Sequence, residues 1–258
     1  MRNWITNREL MKSHFDATDF LDEESDQVQG INPPPVESRI LPDAVEIALP
    51  RYDSVKTVKP DLADCILHRM SRRKYTTESI TLEELSFMLW ATQGVKKTID
   101  AYNNRGTVTY RTVPSAGARH PFETYLAVNN VTGVKPGIYR YSALKHSLIF
   151  LFQVNNVEEK LTAATVGQSF TGDAPVVFFW ACRPYMGEWR YKGESHKAML
   201  LDAGHVCQNL YLAAESLQLG TVAIAAYSQS KVDALLKLDG KDEFVVYLAP
   251  VGRVKETE

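Results

Sequence analysis

The 258-residue sequence has little cysteine: Cys65, Cys182 and Cys207 are odd in number, far apart, and lack any paired spacing. That argues against a disulfide scaffold and a cysteine-based metal site, and leaves the three as buried thiols in a reducing cytoplasm. No apolar run is long enough to cross a bilayer. The start, Met1-Arg2-Asn3-Trp4, continues polar without a signal-peptide core, so a soluble, cytoplasmic protein is expected. An excess of one charge is also missing. The 29 Lys and Arg stand against 31 Asp and Glu, a net charge of -2, and the cations are scattered, so neither nucleic acid nor a membrane surface is an expected partner. There is no Gly-x-Gly-x-x-Gly fingerprint, no phosphate-binding Walker loop and no Gly-x-Ser-x-Gly elbow, so Rossmann dehydrogenase, kinase and serine hydrolase readings fall back.

What is present is a chain 45% hydrophobic, enough for a sizeable core. Residues 1–60 carry an acidic run, Asp22-Glu23-Glu24-Ser25-Asp26, and a triplet, Pro33-Pro34-Pro35, with little apolar periodicity. They read as an extended N-terminal arm, and residues 61–258 as the folded domain. Asp61 to Met70 suits a helix with Leu62, Ile66 and Met70 on its apolar side. Thr81-Leu82-Glu83-Glu84 is a capping box opening a second helix through Trp90. Lys96 to Gly106 is polar and reads as a loop or a hairpin near the site. Glu123 to Asn129, Gly137 to Ser142 and Ser147 to Phe152 read as strands, the last two as a hairpin. Asn156-Val157-Glu158-Glu159 resembles a helix start, and Pro175 to Cys182 a buried strand. Ser195 to Gln218 is the longest helical stretch, apolar nearly all round and so expected to be central and buried. A strand over Thr221 to Tyr227, a short helix from Ser230 and a strand over Phe244 to Val251 follow. Irregular alternation with at least one hairpin indicates an α+β fold.

Two segments stand out chemically. Arg111-Thr112-Val113-Pro114-Ser115-Ala116-Gly117-Ala118-Arg119-His120-Pro121 combines small residues with a glycine free to take a positive φ, which suits close backbone approach to a flat ligand. It also fits an ordinary turn into a strand. Arg69, Arg72, Arg73 and Lys74 surround Ser71 and suit phosphate oxygens, although cations at a helix end are often only solvated. Arg253, after the last strand, is a weaker phosphate candidate. His205 and Cys207 lack the i, i+4 histidine pair of a helical zinc site, so no metal is expected and His205 reads as a core histidine.

Taken in order, the Arg69 to Tyr75 cluster, Leu89 to Gly94, Pro114 to Pro121, Leu201 to Leu210 and Leu219-Gly220-Thr221 resemble the nitroreductase superfamily, with the nearest likeness to its SagB-type dehydrogenase branch. The resemblance covers about residue 60 to Arg253. It implies a central, mainly antiparallel sheet flanked by helices around a long buried helix, and a homodimer with FMN at the interface. Position by position, it implies that Arg69, Ser71 and Arg73 bind the FMN phosphate and ribityl chain, with Arg253 as a C-terminal phosphate ligand. Pro114, Ser115, Ala116 and Gly117 would lie along the isoalloxazine, Leu219, Gly220 and Thr221 near its redox nitrogen, and Gln168 in the neighbourhood. Arg119 is a cation suited to the pyrimidine edge.

The implied activity is hydride transfer between NAD(P)H and a small acceptor through the flavin. The alternative is azoline dehydrogenation in a modified peptide, for which the branch uses a Lys-Tyr pair. Here the matching positions are Arg190 and Tyr191, and arginine is a poor base. A further alternative is an inactive flavin-fold subunit of a complex.

Overall fold

The computed structural model describes residues 8–15, 24–59 and 61–255. Met1 to Trp4, and Asp22 and Glu23 of the acidic run, lie outside the described residues. Seven strands form the main sheet: β1 (Glu46–Ala48), β4 (Phe122–Val128), β5 (Gly137–Ser142), β6 (Ser147–Phe152), β7 (Val176–Cys182), β8 (Leu219–Thr221) and β9 (Phe244–Arg253). Their order is β1-β6-β5-β4-β7-β9-β8, with every pair antiparallel. Strands β2 (Val95–Ala101) and β3 (Gly106–Arg111) form a separate hairpin. The helices are α1 (Leu62–His68), α2 (Leu82–Gln93), α3 (Val157–Ala164), α4 (Phe170–Asp173), α5 (Tyr185–Tyr191), α6 (Ser195–Ser216) and α7 (Gln229–Leu236). This is the α+β, mainly antiparallel architecture the sequence implies.

Strand β7 shows why the sheet is central. All seven of its residues are buried. Because side chains alternate across a strand, Phe178 and Trp180 enter the core beneath α2 and α6, whereas Val177 and Phe179 enter the opposite core with Leu161 of α3 and Val232 and Leu236 of α7. The run reads as uninterrupted apolar sequence because both faces are covered. On the first face, Leu85, Met88 and Leu89 of α2 meet Val206 and Leu210 of α6. The capping box of α2 is complete: the Glu84 amide donates to Thr81 Oγ1 at 3.2 Å and the Thr81 amide to Glu84 Oε2 at 2.8 Å.

Four differences from the sequence reading have physical causes. The strand expected over Thr221 to Tyr227 instead spans Leu219–Thr221, with only an isolated bridge from Ile224 to Leu248 beyond it, because the Ala223 amide donates to the Tyr211 hydroxyl instead of extending the ladder. Helix α1 starts one residue later and ends two residues earlier than expected, with Asp61 as its cap, and turns Leu62, Ile66 and Leu67 outward, with Met70 exposed beyond its end; only Cys65 of the helix is buried. Helix α6 is buried along Met199, Ala203, Val206 and Leu210, yet Leu200 and Leu201 are 61% and 59% exposed because no element among the described residues covers them. His205 lies on that bare face and is not a core histidine.

Residues 24–59 lie against the domain. Glu46–Ala48 adds the edge strand β1 to β6. Arg111 and Arg140 donate to the carbonyls of Val36 and Arg39, the Ser38 amide donates to Glu123, and Ser142 donates to Glu37. The Gln27 amide and the Trp189 indole complete the attachment, bonding the Trp189 carbonyl at 3.0 Å and the Ile31 carbonyl at 3.0 Å.

Candidate active site

Helix α6 organises two groups of candidate residues. Near its C-terminal half, Tyr211 is the hub: its hydroxyl shares a hydrogen bond of 2.9 Å with Ser71 Oγ and accepts from the Ala223 amide at 2.9 Å. Its ring carries the Arg69 guanidinium 5.1 Å from the centroid. Ser71 bridges Thr221, and the Arg72 amide donates to the Thr221 carbonyl at 2.9 Å, so the cationic cluster and the Leu219 to Thr221 segment are one structure. Gly220 is needed at this crossing, since a Cβ there would lie 2.6 Å from Arg72 Cβ and would also strike Val254. Ser71 and Arg73 are exposed and Arg69 half-buried, as an anion site reached from solvent requires.

Toward the N-terminal half of α6, Asp202 holds the second group. Ser115 Oγ donates to its carboxylate at 2.6 Å and the Ala116 amide donates at 3.2 Å, while Ser115 Oγ accepts from the His120 amide at 2.9 Å. Burial raises the Asp202 carboxyl above the usual carboxylate range, opposed by those two donors. The loop is locally strained. Gly117, Ala118 and His120 have φ of 57°, 53° and 46°, and the two non-glycine residues cost about 1–2 kcal/mol each. Tyr191 stands against this loop: a Cβ on Gly117 would sit 2.5 Å from its hydroxyl. Asp202 and Tyr211 are nine residues apart, about 14 Å along the helix axis, so the two groups are the ends of one elongated region.

Around Tyr191 the structure adds residues the sequence did not indicate. Arg119 is only 3% exposed, its guanidinium 4.7 Å from the Trp189 ring centroid and 5.9 Å from that of Tyr102. Its Nε donates to the Met186 carbonyl at 2.6 Å and Nη1 to the Tyr102 hydroxyl at 3.1 Å, while Nη2 is buried with no partner among the described residues. The polar stretch at Lys96 to Gly106 is thus a hairpin whose tip, at Tyr102, closes over Arg119. Arg190 lies 5.2 Å from the Tyr191 ring centroid. Neither Tyr211 nor Tyr102 carries a local sequence signal, because each acts on residues at least twelve positions away. Asp202 is more conspicuous, a buried acid between Leu201 and Ala203.

Two expected contacts stand apart. Arg253 is paired with Glu84 at 2.9 Å and Glu78 at 3.5 Å. Gln168, at the corner between α3 and α4, donates to the carbonyls of Thr165 and Ala226 and bonds none of the other candidates. Cys182 and Cys207 are buried, and burial pushes both thiols up to about 12, so neither is a ready nucleophile. No cluster of His, Cys, Asp and Glu among the described residues is arranged to hold a metal ion.

Residues 66–253, well over half the chain, match the description "Nitroreductase family". The chain belongs to the nitroreductase family. A nitroreductase-named protein of Methanocaldococcus jannaschii is 36% identical over 211 residues, covering 82% of this chain and 98% of that one. The trifolitoxin-processing protein TfxB of Rhizobium leguminosarum bv. trifolii is 28% identical over 62% of this chain, which spans 44% of TfxB. Among solved structures, a nitroreductase-named protein of Anabaena variabilis aligns with a TM-score of 0.68 at 26% identity, over 83% of this chain and 42% of that one.

A nitroreductase-family oxidoreductase commonly uses a flavin, and the residues present suit one. The Ser115 to Gly117 loop carries little side-chain bulk, and Tyr191 packs against Gly117. Exposed cations and a hydroxyl gather at Ser71, and no helix among the described residues is long and apolar enough to cross a membrane.

Proposed function

We propose that this nitroreductase-family oxidoreductase is FMN-dependent and transfers hydride between NAD(P)H and a small acceptor, as a cytoplasmic homodimer. Convergence carries the reading: the Arg69 to Arg73 cluster, the Leu219 to Thr221 segment, the Ser115 to Gly117 loop and Tyr191, scattered through the sequence, all gather along α6. Residues 61–258 would form the FMN-binding domain and residues 1–60 the arm, of which residues 24–59 lie against the domain.

Bound FMN supplies the chemistry, taking up a hydride from one substrate and delivering it to the next. The chain supplies binding and electrostatics. Arg69, Ser71 and Arg73 offer donors to the phosphate and ribityl chain, and Arg253 would reach it on giving up Glu84. Pro114, Ser115, Ala116 and Gly117 provide a floor for the ring, with Asp202 holding that floor in place. The backbone of Leu219, Gly220 and Thr221 approaches without side-chain bulk, and Gln168 contributes at the periphery. The bare Leu200, Leu201, Ile66 and Leu67 suit burial against a second copy, which completes the interface that holds the flavin. Anaerobic stopped-flow mixing with NADPH and with NADH tests the reading. Bleaching of the flavin band by either supports it, and no reduction by both counts against it.

A second reading rests on the Tyr191 hydroxyl at Gly117 and on the likeness to TfxB. It is azoline dehydrogenation of a peptide substrate, in which Tyr191, as its phenolate, would accept the ring proton and a bound flavin would supply the hydride acceptor. Arg190 keeps its proton and is not the base. A two-hydrogen mass loss on a thiazoline peptide, abolished in Tyr191→Phe, is the expected result; an unaltered peptide mass sinks it.

A further inference from the structure

The treatment of arginine differs across this protein. Arg140 and Arg183 face Glu123, at 3.6 and 3.1 Å, and the buried Arg111 bonds Thr109, Gln93 and the Val36 carbonyl. Arg119 is as deeply buried as any of them, yet no carboxylate among the described residues pairs with it, and Nη2 has no acceptor. Its charge is therefore offset by no carboxylate among the described residues, and it adds a positive field to the candidate site. Arg190 repeats the pattern. It is half-buried, stacked on Tyr191, and has no carboxylate partner among the described residues. Arg190 is near enough to disfavour the charge of Arg119. Arg190 thus lies over the ring of Tyr191, with the buried Arg119 over the adjacent Trp189, and the Tyr191 hydroxyl lies against Gly117.

We infer that Arg190 is a carboxylate-binding residue, with Arg119 behind it adding to the positive field, and that the substrate is a flat molecule bearing a carboxylate next to its reacting ring. This rests on the flavin-site reading, because it places the substrate over the same floor. Arg190 makes the direct contact, since Arg119 Nη2 is covered. Trp189 and Tyr102 fix the Arg119 guanidinium from two sides, so its charge is held in place before substrate arrives. The arginine at position 190 thus has a role that a lysine acting as base would not fill: a planar fork matches a carboxylate with two parallel donors.

The probe is benzoate, compared with uncharged benzamide. Both are titrated into the full-length, FMN-reconstituted protein, following the flavin visible band and tryptophan emission, which Trp189 reports from beside Arg119. Benzoate is expected to bind saturably and at least tenfold tighter than benzamide. Arg190→Gln should weaken benzoate about tenfold to a hundredfold and leave benzamide unmoved, as loss of a charged hydrogen-bonding pair implies. Arg190→Lys should restore part of the affinity, which separates lost charge from lost folding. Equal binding of benzoate and benzamide, or wild-type benzoate affinity in Arg190→Gln, would overturn the inference. Failure of the wild-type protein to take up FMN would instead sink the flavin reading, and the tryptophan titration of the flavin-free chain would still decide the role of Arg190.

Discussion

A methyl group at position 117 probes the cradle directly. The φ of 57° costs a non-glycine residue about 1–2 kcal/mol. The new Cβ would stand 2.5 Å from the Tyr191 hydroxyl and 3.0 Å from the nearest ring carbon. Overpacking of that kind costs about 1–3 kcal/mol more. Gly117→Ala should therefore lose about 2–5 kcal/mol, read as a lower urea midpoint at unchanged slope. In a Tyr191→Phe background the nearest atom becomes the ring carbon, so most of the clash disappears while the backbone strain stays. The double-mutant cycle should show about 1–2 kcal/mol of coupling between positions 117 and 191. Additivity within about 0.5 kcal/mol would refute the packing of Tyr191 on Gly117.

Three other expectations follow from the same geometry. Burial, with Arg111 adding to it, depresses His120 to about 3, so the folded state keeps it neutral while the unfolded chain takes up a proton near pH 6.5. Stability should fall by about 1.4 kcal/mol per pH unit as pH drops through that window, and urea melts of His120→Gln should lack this component; identical pH profiles would contradict it. All three thiols are buried, so a chromogenic thiol reagent should label the native protein slowly and three groups at once in denaturant, whereas prompt native labelling would show an opened core. Leu201→Glu puts a charge on the bare face of α6 and should move the sedimentation coefficient from dimer to monomer at micromolar concentration; a monomeric wild type would remove the reason for that exposed apolar surface.

Much of the fold was legible because its signals are local. The Thr81 to Glu84 box forms both of its bonds, and the apolar run into Cys182 is an interior strand buried on both faces. Edge strand β1 escaped notice because three residues, only Ile47 of them even partly buried, carry no alternation. Helix α5 follows Pro184 and contains Gly187, and the sequence reading assigns no element there, although Met186 and Trp189 are buried. The apolar stripe of α1 was correctly spotted but faces outward, since periodicity identifies an apolar face without naming what covers it. At the site, the small-residue loop and the cation cluster were visible as composition. What holds them was not, because Asp202 to Ser115 and Tyr211 to Ser71 span 87 and 140 positions. The same distance hid the use of Glu84 as both helix cap and partner of Arg253.

The central claim is that the region along α6 is a flavin site. The most direct measurement is the visible absorption spectrum of the purified protein, with chromatography of whatever cofactor heat releases. The account predicts a flavin band and released FMN, at one per chain after reconstitution. A colourless protein that also fails to take up added FMN would contradict it, and would leave a nitroreductase-family fold serving as a non-catalytic subunit.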